Sequence, residues 1–247
     1  MVTSPAQVGG ISAGALQRDA LELRGILETV DESSCPRELN FHMHTLHSDG
    51  QLSPEALIEQ AIQLELKEFA ITDHHTVSGF RKAKQYLEDW QWKHPAPIQR
   101  RGRHKGRRRL PRLWTGVEIT SVLANVEVHI LGYAFRPSHQ AMQPYLTHCS
   151  PRGHDQQAAQ VIAAIQAAGG LAVLAHPCRY RRAAEELVTA AVACGIDGIE
   201  AYYAYDNPKE WRACPKKTPA MRQLADELGL LKTCGTDTHG KTLIRRL

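Results

Sequence analysis

The chain has 247 residues, 43% hydrophobic and 23% charged, enough for one large domain with a substantial buried core. No apolar run approaches the ~18 residues of a membrane-spanning helix, and residues 1–10, "MVTSPAQVGG", lack the basic-then-apolar order of a secretory signal. The formal charge of +4 hides an asymmetry: residues 91–113 carry nine Lys or Arg and no acid, and without them the remainder stands at about −5.

Residues 1–12 are small and polar, the composition of a disordered tail. Between 15 and 30, Leu16, Ala20, Leu23, Leu27 and Val30 fall at helical spacing, which predicts a helix docked on the domain. "ELNFHMHT" (38–45) alternates like a strand. Ser53 then reads as an N-cap and Pro54 as the first residue of a helix striped by Leu57, Ala61 and Leu64. "EFAIT" (68–72) is a short strand. Ser78 reads as the cap of a helix carrying Phe80, Ala83, Leu87 and Trp90.

The basic segment interrupts next, and strands follow at 113–120 and 127–135. A helix is expected over 154–168, with Val161, Ile165 and Ala168 inward and Gly169-Gly170 as its stop. "LAVLAH" (171–176) reads as a buried strand, 182–194 as a helix and "DGIEAYY" (197–203) as a strand. A helix from Thr218-Pro219 to near Gly229 precedes the last strand and its exit, "LLKTCGTDTH" (230–239).

Strands alternating with helices predict an α/β fold with parallel strands, and the length suffices to close a barrel. No G-x-G-x-x-G follows a strand and no Walker-type loop is present, which disfavours a nucleotide-binding Rossmann domain. The expected organisation is a tail and docked helix over 1–36 and a barrel over 37–247, with a basic insertion at about 91–112. Cys35, Cys149, Cys178, Cys194, Cys214 and Cys234 form no C-x-x-C pair, so they read as reduced thiols of a cytoplasmic protein.

Imidazoles and carboxylates gather where these strands end. His42 and His44, two apart, share a face in "HMHTLHSDG". "ITDHHT" places Asp73, His74 and His75, and "GVEIT" places Glu118. His129 lies on a strand, His176 ends "LAVLAH", and Asp237 and His239, again two apart, close the last strand. In a parallel barrel the C-terminal strand ends form the catalytic face. This thiolate-free set suits Zn, Mn or Fe.

The motifs "HMHTLHSDG", "TDHHT", "GVEIT", "HILGY", "AHP" and "GTDTH", in this order between about 39 and 240, resemble the PHP (polymerase and histidinol phosphatase) family. The resemblance implies a distorted (β/α)7 TIM-like barrel with two to three divalent metal ions at the C-terminal strand ends. One ion would take His42, His44, Glu118 and Asp237, and a second Asp49, His74 and His239. A third would take His129 and His176 and share Glu118. The implied work is phosphate-ester hydrolysis, on nucleoside 3′,5′-bisphosphates or short RNA in the small members most similar to this chain. His75 stands where the family often has Asp or Asn, and the basic insertion has no counterpart in its pattern.

Other residues are read around this set. Asp73 either orients a ligand histidine or caps a turn. Arg179 and Arg152 are expected to contact substrate phosphate, or else are surface arginines. His47 is an acid or substrate contact, or a solvated loop residue. Glu200 and the "YYAY" run at 202–205 end a strand on the same face and read mainly as core packing, with one tyrosine placed to stack on a base as the alternative. The alternatives are a histidinol-phosphate-type small-molecule phosphatase, an amidohydrolase barrel, and an RNA-binding scaffold with a structural metal centre. An amidohydrolase also begins with H-x-H, but usually with a lone late Asp and often a bridging lysine. The eight Lys or Arg between 100 and 112 favour weak RNA contact through the insertion, although no aromatics are interleaved for base stacking.

Overall fold

A computed structural model describes residues 13–94 and 110–247. The tail expected at 1–12 and most of the basic insertion, residues 95–109, lie outside it. In chain order the elements are α1 (Ala13–Leu27), β1 (Leu39–Asn40), α2 (Pro54–Gln63), β2 (Glu68–Ile71), α3 (Ser78–Lys93), β3 (Arg112–Leu123) and β4 (Val126–Tyr133). Then come α4 (Ala158–Ala167), β5 (Leu171–Leu174), α5 (Ala184–Ala193), β6 (Gly198–Tyr202), α6 (Thr218–Glu227) and β7 (Leu231–Cys234).

The seven strands form one sheet in sequential order, and its two ends meet. β1 is shorter than the strand expected over 38–45, because after Asn40 the chain pairs with the exit of β7 instead. Phe41 N–H donates to Cys234 O (2.9 Å), Asp237 N–H to His42 O (2.8 Å) and His44 N–H to Thr238 O (3.1 Å). These bonds make a nearly closed α/β barrel, the distorted seven-stranded form expected. Phe41 and Tyr133 are fully buried edge-to-face, and the Tyr133 hydroxyl donates to Phe41 O at 2.8 Å. Truncating a side chain such as Phe41 to alanine removes about 3–5 kcal/mol in comparable cores.

One expectation fails: the strands are not all parallel. β4 runs antiparallel to both β3 and β5. Only Ala124 and Asn125 separate β3 from β4, too few for a crossover, and both have positive φ (49° and 62°), as a type I′ hairpin requires. Two caps differ as well. Ser53 Oγ accepts from Ala56 N–H (3.1 Å) and caps α2 as its position predicts. Ser78, however, is the first residue of α3, and its own N–H donates to Thr76 Oγ1 (3.1 Å). The helix expected at 154–168 splits into a 3-10 turn, Gly153–Gln156, followed by α4.

Helix α1 docks through buried Leu23 and Leu27. Arg24 pairs with Asp197 (2.9 Å), and Arg112 with Asp19 and Glu22. No helix among the described residues is long and apolar enough to cross a membrane.

Candidate metal centre

Each element delivers its polar side chain to one end of the barrel. His42 and His44 follow β1 and are fully buried. The chain then turns sharply, with the N–H groups of Ser48 and Gly50 both donating to Thr45 O (3.0 Å each). A Cβ on Gly50 would lie 2.4 Å from His44 O, so only glycine lets the loop fold back and present Asp49. At the end of β7, a Cβ on Gly235 would lie 2.2 Å from His42 Cβ. Glycine there lets the strands approach closely enough to bring Asp237 opposite His42.

Glu118 sits at the middle of the cluster with its two oxygens facing different partners. Oε2 is 3.0 Å from His42 Nε2, 3.0 Å from His44 Nε2 and 3.6 Å from His74 Nε2. Oε1 is 2.7 Å from His129 Nδ1 and 3.4 Å from His176 Nε2. Asp237 Oδ1 lies 3.2 Å from His44 Nε2 and 3.4 Å from His42 Nε2. Farther out, Asp49 Oδ2 lies 3.0 Å from His239 Nε2 and 3.7 Å from His74 Nε2.

Donor atoms of His42, His44, Glu118 and Asp237 lie within 4.8 Å of one another, as do those of His44, Asp49, His74 and His239, and those of His74, Glu118 and His129. The set suits a borderline divalent cation: imidazoles and carboxylates with no thiolate. His44 Nε2 adds a second sign, since it is buried and makes no hydrogen bond although it faces two carboxylates. The residues present therefore fit metal ions.

His129 reaches this end for a reason the sequence reading did not contain. It lies in the first half of β4, opposite Thr120 of β3. A reversed strand carries its beginning to the face where parallel neighbours carry their ends.

The electrostatics are those of a charged cluster removed from water. Burial works to raise Glu118 and Asp237, but His42 with His129, and His42 with His44, hold them well below the usual carboxylate range. Burial works to lower His44, yet Asp237 and Glu118 lift it to about 9. His42 is likewise raised against burial by Glu118, Glu200 and Asp237. Burial dominates at His74, which falls to about 4, and also lowers His176. His176 (φ 28°), Asp237 (φ 50°) and His75 (φ 54°) sit in the left-handed region, an uncommon conformation for non-glycine residues that concentrates at functional sites.

The remaining expected residues lie as follows. Asp73 is buried and turns to the loop rather than to a ligand imidazole, accepting from Thr45 N–H (2.7 Å), Thr45 Oγ1 (2.8 Å) and Ser48 Oγ (2.7 Å). His47 Nδ1 bonds Ser78 Oγ (2.7 Å). Arg179 donates to Asp237 Oδ2 (3.0 Å) and to Tyr203 OH (3.2 Å). Arg152 is exposed, two residues after Ser150, whose Oγ is 3.2 Å from His75 Nε2. His75 Nε2 also faces Thr120 Oγ1 (3.1 Å).

Three residues at the centre escaped the sequence reading or were taken for packing. Tyr203 and Arg246 donate to Asp237 Oδ2 at 2.6 and 2.9 Å, so with Arg179 three donors fill that oxygen and leave Oδ1 for the cluster. Glu200 is fully buried against His42. A lone acid inside the apolar strand "GIEAYY" was the available signal, since a buried carboxylate needs a partner. Arg246 carries no comparable local pattern.

Comparison with known proteins agrees with this geometry. A family model for the PHP domain matches residues 40–167. Over 113 residues the chain is 33% identical to a 5′-3′ exoribonuclease Rnm of Salmonella typhimurium, covering 46% of this chain and 33% of that protein. The Rnm of Escherichia coli is 34% identical over 124 residues, 50% of this chain and 36% of its own length. The match thus spans about a third of the length of these curated relatives. A solved protein of Bifidobacterium adolescentis, named as a metal-dependent phosphoesterase, superposes with a TM-score of 0.63 at 24% identity over 85% of this chain and 93% of its own. A Chromobacterium violaceum protein, named as an amidohydrolase with bound sulfate, gives 0.63 at 20% over 82% and 88%. At these identities the superpositions show a shared fold.

Proposed function

Because this chain belongs to the PHP domain family, we propose that it is a metal-dependent phosphoesterase acting on nucleotide-type substrates, either phosphate monoesters or short nucleic-acid phosphodiesters. The observation that carries this reading is the placement of Glu118, whose two oxygens face separate groups of imidazoles within one buried cluster. Two to three divalent ions, Mn, Zn or Fe, are the cofactors of this reading. His42, His44, Glu118 and Asp237 would hold one ion, and Asp49, His74 and His239 a second. His129 and His176, with Glu118 shared, would hold a third. Such ions, when bound, neutralise an anionic ester and lower the pKa of water toward neutrality.

The chain's own groups would do the rest. Glu118 and Asp237 keep the site anionic and selective for cations. Asp73 fixes the loop that presents His44, His47 and Asp49. Arg179, through guanidinium donors not used on Asp237 and Tyr203, would bind a substrate phosphate oxygen, with Arg152 as a second contact at the rim. His47, steadied by Ser78, would hold the proton delivered to the leaving oxygen. The exoribonuclease names of the curated relatives support a nucleotide or short RNA as substrate. Six free thiols support a reducing, cytoplasmic setting.

The test is a phosphate-release and nucleotide-release screen of metal-loaded protein over nucleoside bisphosphates, short RNAs and sugar or amino-alcohol phosphates. Turnover concentrated on the first two classes is expected. Turnover on a histidinol-type phosphate alone would move the substrate class. No turnover on any ester would overturn the enzyme reading in favour of a scaffold.

A further inference from the structure

Glu200 is a fully buried acid outside the proposed ligand set. It stands on β6, beside the strand that leads to His176. Each of its oxygens accepts one hydrogen bond: Oε1 from His42 Nδ1 at 3.0 Å and Oε2 from the His176 backbone N–H at 2.9 Å. An acid removed this far from water is costly unless its partners are placed to use it.

We propose that Glu200 is a positioning residue for the metal centre. It holds the His42 ring with Nδ1–H turned away and Nε2 turned inward, and it pins the backbone from which His176 projects. The proposal rests on the reading that His42 and His176 hold metal ions.

The His42 nitrogens have divided tasks. Nε2 faces Glu118 Oε2 at 3.0 Å and Asp237 Oδ1 at 3.4 Å, whereas Nδ1 faces Glu200. A ligand imidazole that donates its far N–H to a carboxylate is fixed in orientation and tautomer and becomes a better donor. His176 needs help of another kind. Its φ of 28° is strained for a residue with a side chain, and such strain persists only where surrounding bonds over-determine it. Glu200 supplies one such bond, to the N–H of that same residue.

Both partners are donors, so the position needs two acceptors. A carboxylate offers two, whereas the equally shaped glutamine amide offers one acceptor and one donor group. In Glu200→Gln the amide must either set its NH2 against the His176 N–H or turn it to His42 Nδ1, which can accept only if the His42 proton moves to Nε2, the nitrogen that faces the cluster. Shape is thereby separated from hydrogen-bonding capacity, and a packing role alone predicts no effect.

The experiment compares wild type and Glu200→Gln by titration with Zn2+ and with Mn2+ against a competing chelator. The variant is expected to keep its circular dichroism spectrum and to bind its tightest ion about 10- to 100-fold more weakly. Equal affinity overturns the proposal. Failure of the wild type to bind any ion overturns the metal-centre reading itself, a distinguishable result. Should the variant not fold, nitrogen NMR of histidine-labelled, Zn-loaded wild type decides. The proposal requires His42 to keep its proton on Nδ1 and to be metal-bound through Nε2, and metal on Nδ1 overturns it.

Discussion

The centre has an inner and an outer part built on opposite terms. The inner group, His42, His44, Glu118 and Asp237, is at most 1% exposed, and its carboxylates are held by several donors each. The outer group shares His44 but relies on His74, His239 and the side chain of Asp49, which is 52% exposed. Burial fixes geometry and excludes competing water, while an exposed carboxylate keeps its mobility and is screened by solvent. An ion held by the inner group should therefore stay bound through turnover, and one held by the outer group should exchange.

The strongest way to break this contrast is Asp237→Asn, which keeps the shape but weakens the inner ligand. Turnover is expected to fall at least about 100-fold, on the scale of losing one principal electrostatic contribution, with the circular dichroism spectrum unchanged. Near-normal turnover would remove Asp237 from the ligand set.

The next effect is on pH. In the metal-free protein, burial presses His44 down, but Asp237 and Glu118 lift it to about 9, so between pH 6.5 and 9 it carries a proton that the unfolded chain has lost. A cation must expel that proton to use the nitrogen. His42 is raised as well, so affinity at the inner group should rise by at least about tenfold per pH unit up to about pH 9. Calorimetry in buffers of different ionisation enthalpy measures the released protons. A flat pH dependence would show that His44 is not displaced.

Asp49→Ala should act on the outer group alone. It is expected to weaken one ion by about tenfold and to leave the tightest ion unaffected, read by chelator competition. Equal weakening of both would erase the distinction between the two parts. The smallest effect is expected from deleting 94–110. Those residues fall between α3 and β3 in the chain, and none of the inner or outer residues named above is among them. Small-ester hydrolysis should survive the deletion, and RNA binding, if present, should weaken and lose part of its salt dependence. Loss of small-ester turnover would instead place the segment in the active site.

Most residues of the cluster were legible because they stand within or just after an apolar run: "NFHMH", "FAITDH", "TGVE", "LAVLAH" and "KTCGTDTH"; Asp49 instead lies in the loop that follows His44. A polar residue with metal-ligand chemistry at the end of a buried run is a local signal, and it recurs across the chain. What was not legible depends on the fold. The hairpin at Ala124-Asn125 reverses β4, and neither residue is a glycine that would announce positive φ. Ser78 resembled a cap, but the neighbouring Thr76 hydroxyl accepts its N–H. Glu200 was taken for packing because its partners, His42 and the His176 backbone, are 158 and 24 residues away. Arg246 reaches Asp237 only because the last residues fold back, with His239 N–H donating to Arg246 O at 2.7 Å.

The most direct measurement is metal content followed through graded chelation, with hydrolysis of a nucleotide phosphate ester recorded on the same samples. Reconstituted protein should hold about two to three transition-metal ions per chain. Mild chelation should remove the outer ion first, and activity should vanish on full removal and return on reloading. Protein that holds no ion or only one, or that keeps its activity after complete chelation, would contradict the account.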